Sequence, residues 1–207
     1  GMLSVNPELD TLIRPFIGSK EFIRGESRYC LWIDDKKDPL IVHPTIASRL
    51  KGVTNMRAAS TKASTVKLAL LPHRFDEIRQ RGELSTIIIP SHSSEAREHL
   101  PVGYLPTGTI VSNSAFFIEE QSLTALSIIA SRLHLSWIST VCGKIKTDYR
   151  YSNTLGWNTF PVPTLTEKNK LDLTRCAEDI LLAREKHFPA TIADLYKADA
   201  MPENLRQ

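Results

Sequence analysis

Thr86-Ile87-Ile88-Ile89-Pro90 decides the class of fold. β-Branched residues closed by a proline read as a short apolar strand. Toward the C-terminus, Val102-Gly103-Tyr104-Leu105 and Thr109-Ile110-Val111 read as further strands, separated by the turn signal Pro106-Thr107-Gly108. Ala115-Phe116-Phe117-Ile118 reads as another. From 121 to 142 the period changes to helical: Leu123, Leu126, Ile129, Leu133, Trp137 and Val141 fall near one face, and Gly143 can end the helix. Residues 144 to 152 are polar and alternating, and Phe160-Pro161-Val162-Pro163 is a rigid link. Residues 166 to 187 form a second amphipathic helix, capped by Thr166 with Asn169 nearby. A short helix is expected after Pro189.

Toward the N-terminus, residues 44 to 80 read as helix, with Pro72 breaking the run into two pieces. Residues 10 to 33 read as extended structure around a turn, and the run Arg28-Tyr29-Cys30-Leu31-Trp32-Ile33 is strand-like. Asp34-Asp35-Lys36-Lys37-Asp38-Pro39 reads as a solvated surface turn rather than a metal site. This order predicts an α+β (mixed α/β) fold, a small sheet packed with helices.

Composition narrows the function classes. The chain has 207 residues, 42% of them hydrophobic, with a net charge of +3 and a pI of about 8.8. So mild a basic lean cannot establish nucleic-acid binding, but the basic residues concentrate between Arg49 and Arg81. Cys30, Cys142 and Cys176 lie far apart, which suggests neither a zinc site nor a disulfide framework and fits a reduced, cytoplasmic setting. No apolar run approaches the roughly 20 residues that span a bilayer, so no membrane partner is expected. Gly1-Met2 looks like the remnant of a cleaved tag, and a piece of a longer protein is expected.

The sequence contains no glycine-rich strand-to-helix turn of the kind that holds S-adenosylmethionine and no Asn/Asp-Pro-Pro-aromatic tetrapeptide; Asn6-Pro7 is followed by Glu8. Phosphate-binding loops, zinc-binding HExxH helices and nucleophile elbows are also missing. The histidines fall in different segments, and His134, inside the apolar helix, reads as a packing residue. Ser91-His92-Ser93-Ser94 follows a strand and reads as a ligand-bonding loop rather than a catalytic site. No catalytic, cofactor-binding or metal-ligating residue is assigned.

Several segments carry a family resemblance. Arg14 to Glu26, followed by Arg28-Tyr29-Cys30-Leu31-Trp32, resembles the junction after the catalytic domain in MmeI-like, type IIL restriction–modification enzymes. Val141-Cys142-Gly143-Lys144-Ile145-Lys146-Thr147-Asp148-Tyr149-Arg150-Tyr151-Ser152 resembles their specificity segment, and Asn158 with Phe160-Pro161-Val162-Pro163 resembles their Asn-Phe-Pro-x-Pro stretch. Ile89-Pro90, Ser93-Ser94-Glu95-Arg97 and Ser112-Asn113-Ser114-Ala115 match weaker signatures. The resemblance implies a target-recognition domain over 1–163 and a C-terminal helical segment over 164–207. It implies double-stranded DNA as partner, and an upstream methyltransferase domain in the same chain that uses S-adenosylmethionine to methylate adenine N6, with an endonuclease possible in the parent. A separate specificity subunit and a protein-interaction module are the alternatives.

The resemblance also assigns residues. Lysine can donate to guanine O6 and N7, and aspartate can accept from cytosine N4. In an extended segment Lys146, Asp148 and Arg150 would project to one side. From the residues alone, Lys146 and Asp148 read as a surface salt bridge, which contributes little; the resemblance reverses this. In the family the matching positions discriminate the base pair just beyond the methylated adenine, and Lys-x-Asp there implies guanine. Arg150, with Asn113 and Ser114 as its partners near a strand end, matches another specificity position. Ser91 and His92 stand where the family often has a basic residue. Lys20, Arg24, Arg57, Lys62, Lys67 and Arg97 are the candidates for phosphate contact, which sets affinity and register rather than sequence; a solubilising helix face is the alternative for each. Tyr149, Tyr151 and Trp157 are expected to pack rather than touch DNA.

Overall fold

The computed structural model describes residues 7–33, 39–119 and 122–206; Gly1-Met2, Asn6 and the acidic turn from Asp34 to Asp38 lie outside them. Along the chain run β1 (Ile13–Ile17), α1 (Ser19–Arg24), β2 (Tyr29–Leu31), α2 (Pro44–Ala58), α3 (Ala63–Lys67), β3 (Thr86–Pro90), β4 (His92–Ser93), β5 (Gly103–Leu105), β6 (Ile110–Val111), β7 (Ala115–Glu119), α4 (Thr124–Ala130), α5 (Arg132–Val141), β8 (Lys144–Ile145), β9 (Asp148–Arg150), α6 (Glu167–Glu185), α7 (Ile192–Leu195) and α8 (Glu203–Arg206). Short 3₁₀ turns cover Pro7–Leu12, Pro39–Val42 and Leu68–Leu70. The mixed α+β class holds, its strands distributed over three small sheets.

The chain divides into two compact units: one takes the residues up to Pro15 and Tyr29–Arg81, the other Phe16–Arg28 and the chain from Gly82 onward. In the first unit, Ile13, Arg14 and Pro15 of β1 pair antiparallel with Leu31, Cys30 and Tyr29 of β2. Leu9, Leu12, Ile33 and Ile46 form its core. α2 starts where Pro44 occupies the first turn and His43 accepts the Thr45 N–H at 3.3 Å. The second helical piece expected through residue 80 is not there. Helix ends at Leu70, and the Arg57 guanidinium collects the carbonyls of Leu68, Leu71 and Arg74 at 2.7–3.0 Å. Pro72 cannot donate to a continuing helix, and the side chain satisfies the carbonyls left over.

In the second unit, β3 is the centre of an antiparallel sheet ordered β5-β3-β7. All five residues of β3 are buried. Ile87 and Ile89 enter a core with Leu100, Val102, Leu126, Ile129 and Ile138, while Ile88 joins Val111 and Ala115 in a second cluster. Both faces are covered, so the run is apolar throughout rather than alternating. Phe16 and Ile17 of β1 pair parallel with β6. Two expectations change. Residues 19–24, read as extended, form α1: Gly25 closes it in the left-handed region at φ 65°, and Glu21 accepts the Gly18 N–H at 2.9 Å. The helix read over 121–142 is two helices, because Ser131 turns extended and caps α5, its hydroxyl accepting the His134 N–H at 3.1 Å; Leu133 then faces solvent. α6 begins, as read, at a capping box between Thr166 and Asn169, and it packs on α4.

Candidate nucleic-acid interface

β8 and β9 form a hairpin, Ile145 opposite Asp148 and Lys144 opposite Tyr149, joined by Lys146-Thr147. β4 extends it on the other side, with His92 opposite Arg150 and Ser93 opposite Tyr149. Directly opposite residues of an antiparallel pair project to the same face. One face of this small sheet therefore carries His92, Arg150, Asp148 and Ile145, all exposed, while Ser93 is buried and Tyr149 half-buried. β4 stands where the sequence predicts a loop; a two-residue strand leaves no periodic trace, and its partner β9 lies more than fifty positions away.

Lys146 occupies the turn at φ 56°, a left-handed conformation. The alternation expected from Lys146 through Arg150 therefore joins only Asp148 and Arg150, and Lys146 stands at the hairpin tip, exposed. Asp148 Oδ1 accepts the Glu95 N–H at 3.3 Å. Burial lowers the pKa of the Arg97 guanidinium and the Asp148 carboxylate partly offsets this; Arg97 also donates to the Ser93 hydroxyl at 3.4 Å. Lys144 lies 4.0 Å from Glu95 and over the Tyr149 ring.

Tyr151 anchors the hairpin to the core. Its N–H donates to the Ser91 carbonyl at 2.9 Å, and its hydroxyl meets His134 Nε2 at 3.1 Å. His134 is fully buried, with its ring edge-on to Phe160 at 4.7 Å, and burial depresses its pKa to about 4. Burial raises the Tyr151 phenol, with Cys142 adding to the effect. The packing roles read for His134 and Tyr151 hold.

A concavity of about 680 Å³ opens beside the sheet, lined among others by Lys20, Ser91, His92, Asn113, Ser114 and Arg150. Asn113 is exposed in the turn between β6 and β7, and its carboxamide makes no hydrogen bond among the described residues. Ser114 is committed inward: its Oγ accepts the Ser19 N–H at 3.2 Å and shares a hydrogen with Ser112 Oγ at 2.9 Å, while its carbonyl accepts from the hydroxyls of Ser19 and Ser91. A Cβ on Gly18 would lie within 2.3 Å of the Ser112 and Ser114 hydroxyls, so only glycine fits above this network. Glu21, which caps α1, is pushed up by burial but pulled to a net lowered pKa by the N–H groups of Glu21 and Gly18 and by Arg28.

The other basic candidates separate. Lys20 and Arg24, exposed on α1, pair with Glu26 at 2.8 and 3.9 Å. Lys62 and Lys67 are exposed at the two ends of α3, with no ion pair among the described residues. Arg57 has its donors occupied by carbonyls and Arg97 is half-buried. Among the described residues no cluster of three or more His, Cys, Asp or Glu could hold a metal ion, and no helix is long and apolar enough to cross a membrane.

Residues 1–164 match the MmeI target recognition domain family. The chain belongs to that family. It is 40% identical over 201 residues to "DNA methyltransferase A" of Bacillus subtilis (strain 168), covering 97% of this chain and 23% of that protein. A solved structure of the type IIL restriction-modification enzyme MmeI in complex with DNA superposes at a TM-score of 0.91 with 32% identity, covering 99% of this chain and 27% of that one. The chain thus spans about a quarter of the length of both relatives. Its hairpin β8–β9 lies within the 141–152 stretch that resembles the family's specificity segment, with Lys146 at the tip and Asp148 to Arg150 in the second strand.

Proposed function

We propose that this chain reads a short sequence in double-stranded DNA for an N6-adenine methyltransferase of a restriction–modification system. The observation that carries the reading is a set of exposed polar side chains at and beside one concavity: Arg150 and Asn113 line it, Asp148 shares the Arg150 side of β9, and Lys146 stands at the hairpin tip. Such groups match the donor and acceptor patterns of base edges in the major groove. Lys146 and Asp148 read a G·C pair, the lysine on guanine and the aspartate on cytosine. Arg150 and Asn113 read a second position, with Ser114 and its hydroxyl network setting the height of the Asn113 turn. Lys20, Arg24, Lys62 and Lys67 contact phosphates.

Residues 1–163 act as the recognition domain and 164–207 as its helical support, within a longer cytoplasmic polypeptide. S-Adenosylmethionine would be held by the upstream methyltransferase domain of that polypeptide, where it supplies the methyl group; the residues here bind and orient the duplex. Exchanging the two charges in the longer protein, Lys146→Glu with Asp148→Arg, tests the reading. The preferred base at one position of the methylated site is expected to change. An unaltered site preference overturns the assignment.

A further inference from the structure

We infer that His92 is an additional base-reading residue, held as a hydrogen-bond acceptor, and that it recognises the exocyclic amino group of a cytosine or adenine. The inference rests on the DNA-reading role proposed above and adds a residue and a chemical preference to it.

The Ser91 hydroxyl lies within hydrogen-bond reach of the Ser114 carbonyl oxygen. A carbonyl cannot donate, so the Ser91 hydrogen points to it. The same Ser91 Oγ lies 3.0 Å from His92 Nδ1. With its hydrogen already committed, Ser91 Oγ can only accept there, so Nδ1 carries the hydrogen. In a neutral imidazole the other nitrogen is then bare. His92 Nε2 becomes an acceptor, and it makes no hydrogen bond among the described residues.

The network fixes Ser91 on its other sides too. Its N–H donates to Ser19 Oγ at 3.1 Å, and Ser19 Oγ donates in turn to the same Ser114 carbonyl. Ser91 therefore has little freedom to turn its hydroxyl toward the imidazole.

The position suits readout. His92 is exposed, lines the concavity and sits directly opposite Arg150. In the major groove, arginine donates to guanine, while cytosine N4 and adenine N6 are the amino donors that an acceptor can read. Arg150 as donor and His92 as acceptor, on adjacent strands, suit the two members of one G·C pair. A basic residue at His92 would instead offer only donors.

Two measurements test this on the full chain. In a two-bond hydrogen–nitrogen correlation spectrum of the isotopically labelled protein, neutral His92 should show a protonated Nδ1 and a bare Nε2. Ser91→Ala should release it to a mixture of tautomers, and Ser91→Thr, which keeps the hydroxyl, should restore the single form. A protonated Nε2 in the unsubstituted protein overturns the inference. In selection from randomised duplexes, His92→Lys should reverse the preference at one position from cytosine or adenine to guanine or thymine, and His92→Ala should weaken discrimination there by roughly tenfold. If the Lys146/Asp148 exchange alters its own position while His92→Lys alters none, the His92 inference fails and the DNA-reading role stands. If neither variant changes any preference, both fail.

Discussion

His134 shows how a buried titratable side chain supports the strand proposed to read DNA. Its imidazole is fully buried, and Nε2 holds the Tyr151 hydroxyl, the anchor of β9. Burial disfavours the charged ring and lowers its pKa from 6.5 to about 4. The folded-state value is depressed, so the unfolded chain binds the proton more readily. Above pH 6.5 both states are neutral and the full stability is present; as pH falls from 6.5 toward 4 the unfolded state is favoured, by up to about 3 kcal/mol. Urea midpoints should therefore drop across this window. His134→Gln, which keeps a polar partner for Tyr151 but does not titrate, should flatten that part of the profile. An unchanged profile in the variant would assign the pH dependence to other groups.

At the scale of an element, the β8–β9 hairpin combines local strain with the reading role proposed for it. Lys146 adopts a left-handed backbone at φ 56°, where glycine is at ease and a side chain is strained. Lys146→Gly is expected to stabilise the chain by about 1 kcal/mol while removing the preference for guanine. A thermal melt and a site-preference assay should move in opposite directions; a fall in stability would show that the lysine is held by contacts that offset its strain. The same scale shows what was legible in advance. β3 and β7 were readable because burial on β3 leaves an unbroken apolar run, and α6 because Thr166 and Asn169 mark its start. α1 was hidden by Phe22 and Ile23, residues at home in strands, although Gly25 and Glu21 specify a closed helical turn. Ser131 looked like one more helical residue, yet its hydroxyl accepts from the His134 N–H and starts a new helix. β4 could not be read at all, and with it the pairing of His92 and Arg150 was lost.

For the whole molecule, the division into two units was not legible, because it depends on pairings between distant segments: β1 gives its first three residues to β2 and its last two to β6. The basic residues are shared between the units, with Lys62 and Lys67 in the first and Lys20 and Arg24 in the second. Charge alone made all of them, and Arg57, equivalent candidates for phosphate contact; bonding separates them. Each phosphate neutralised releases counterions and contributes about 0.9 to the slope of log affinity against log salt, wherever it lies on the protein. Replacing Lys62 and Lys67 by glutamine in the longer protein should therefore make the slope shallower by up to about 1.8 and weaken binding on every duplex alike, with site preference unchanged. Arg57→Gln removes the same kind of charge but strands the carbonyls of Leu68, Leu71 and Arg74. It should lower thermal stability by roughly 2 kcal/mol, the scale of a lost charged hydrogen-bond network, with little change in slope once the protein is folded. A full-strength melt with a shallower slope for Arg57→Gln would instead place that guanidinium on a phosphate, and would mean that the 3₁₀ turn after α3 closes without it.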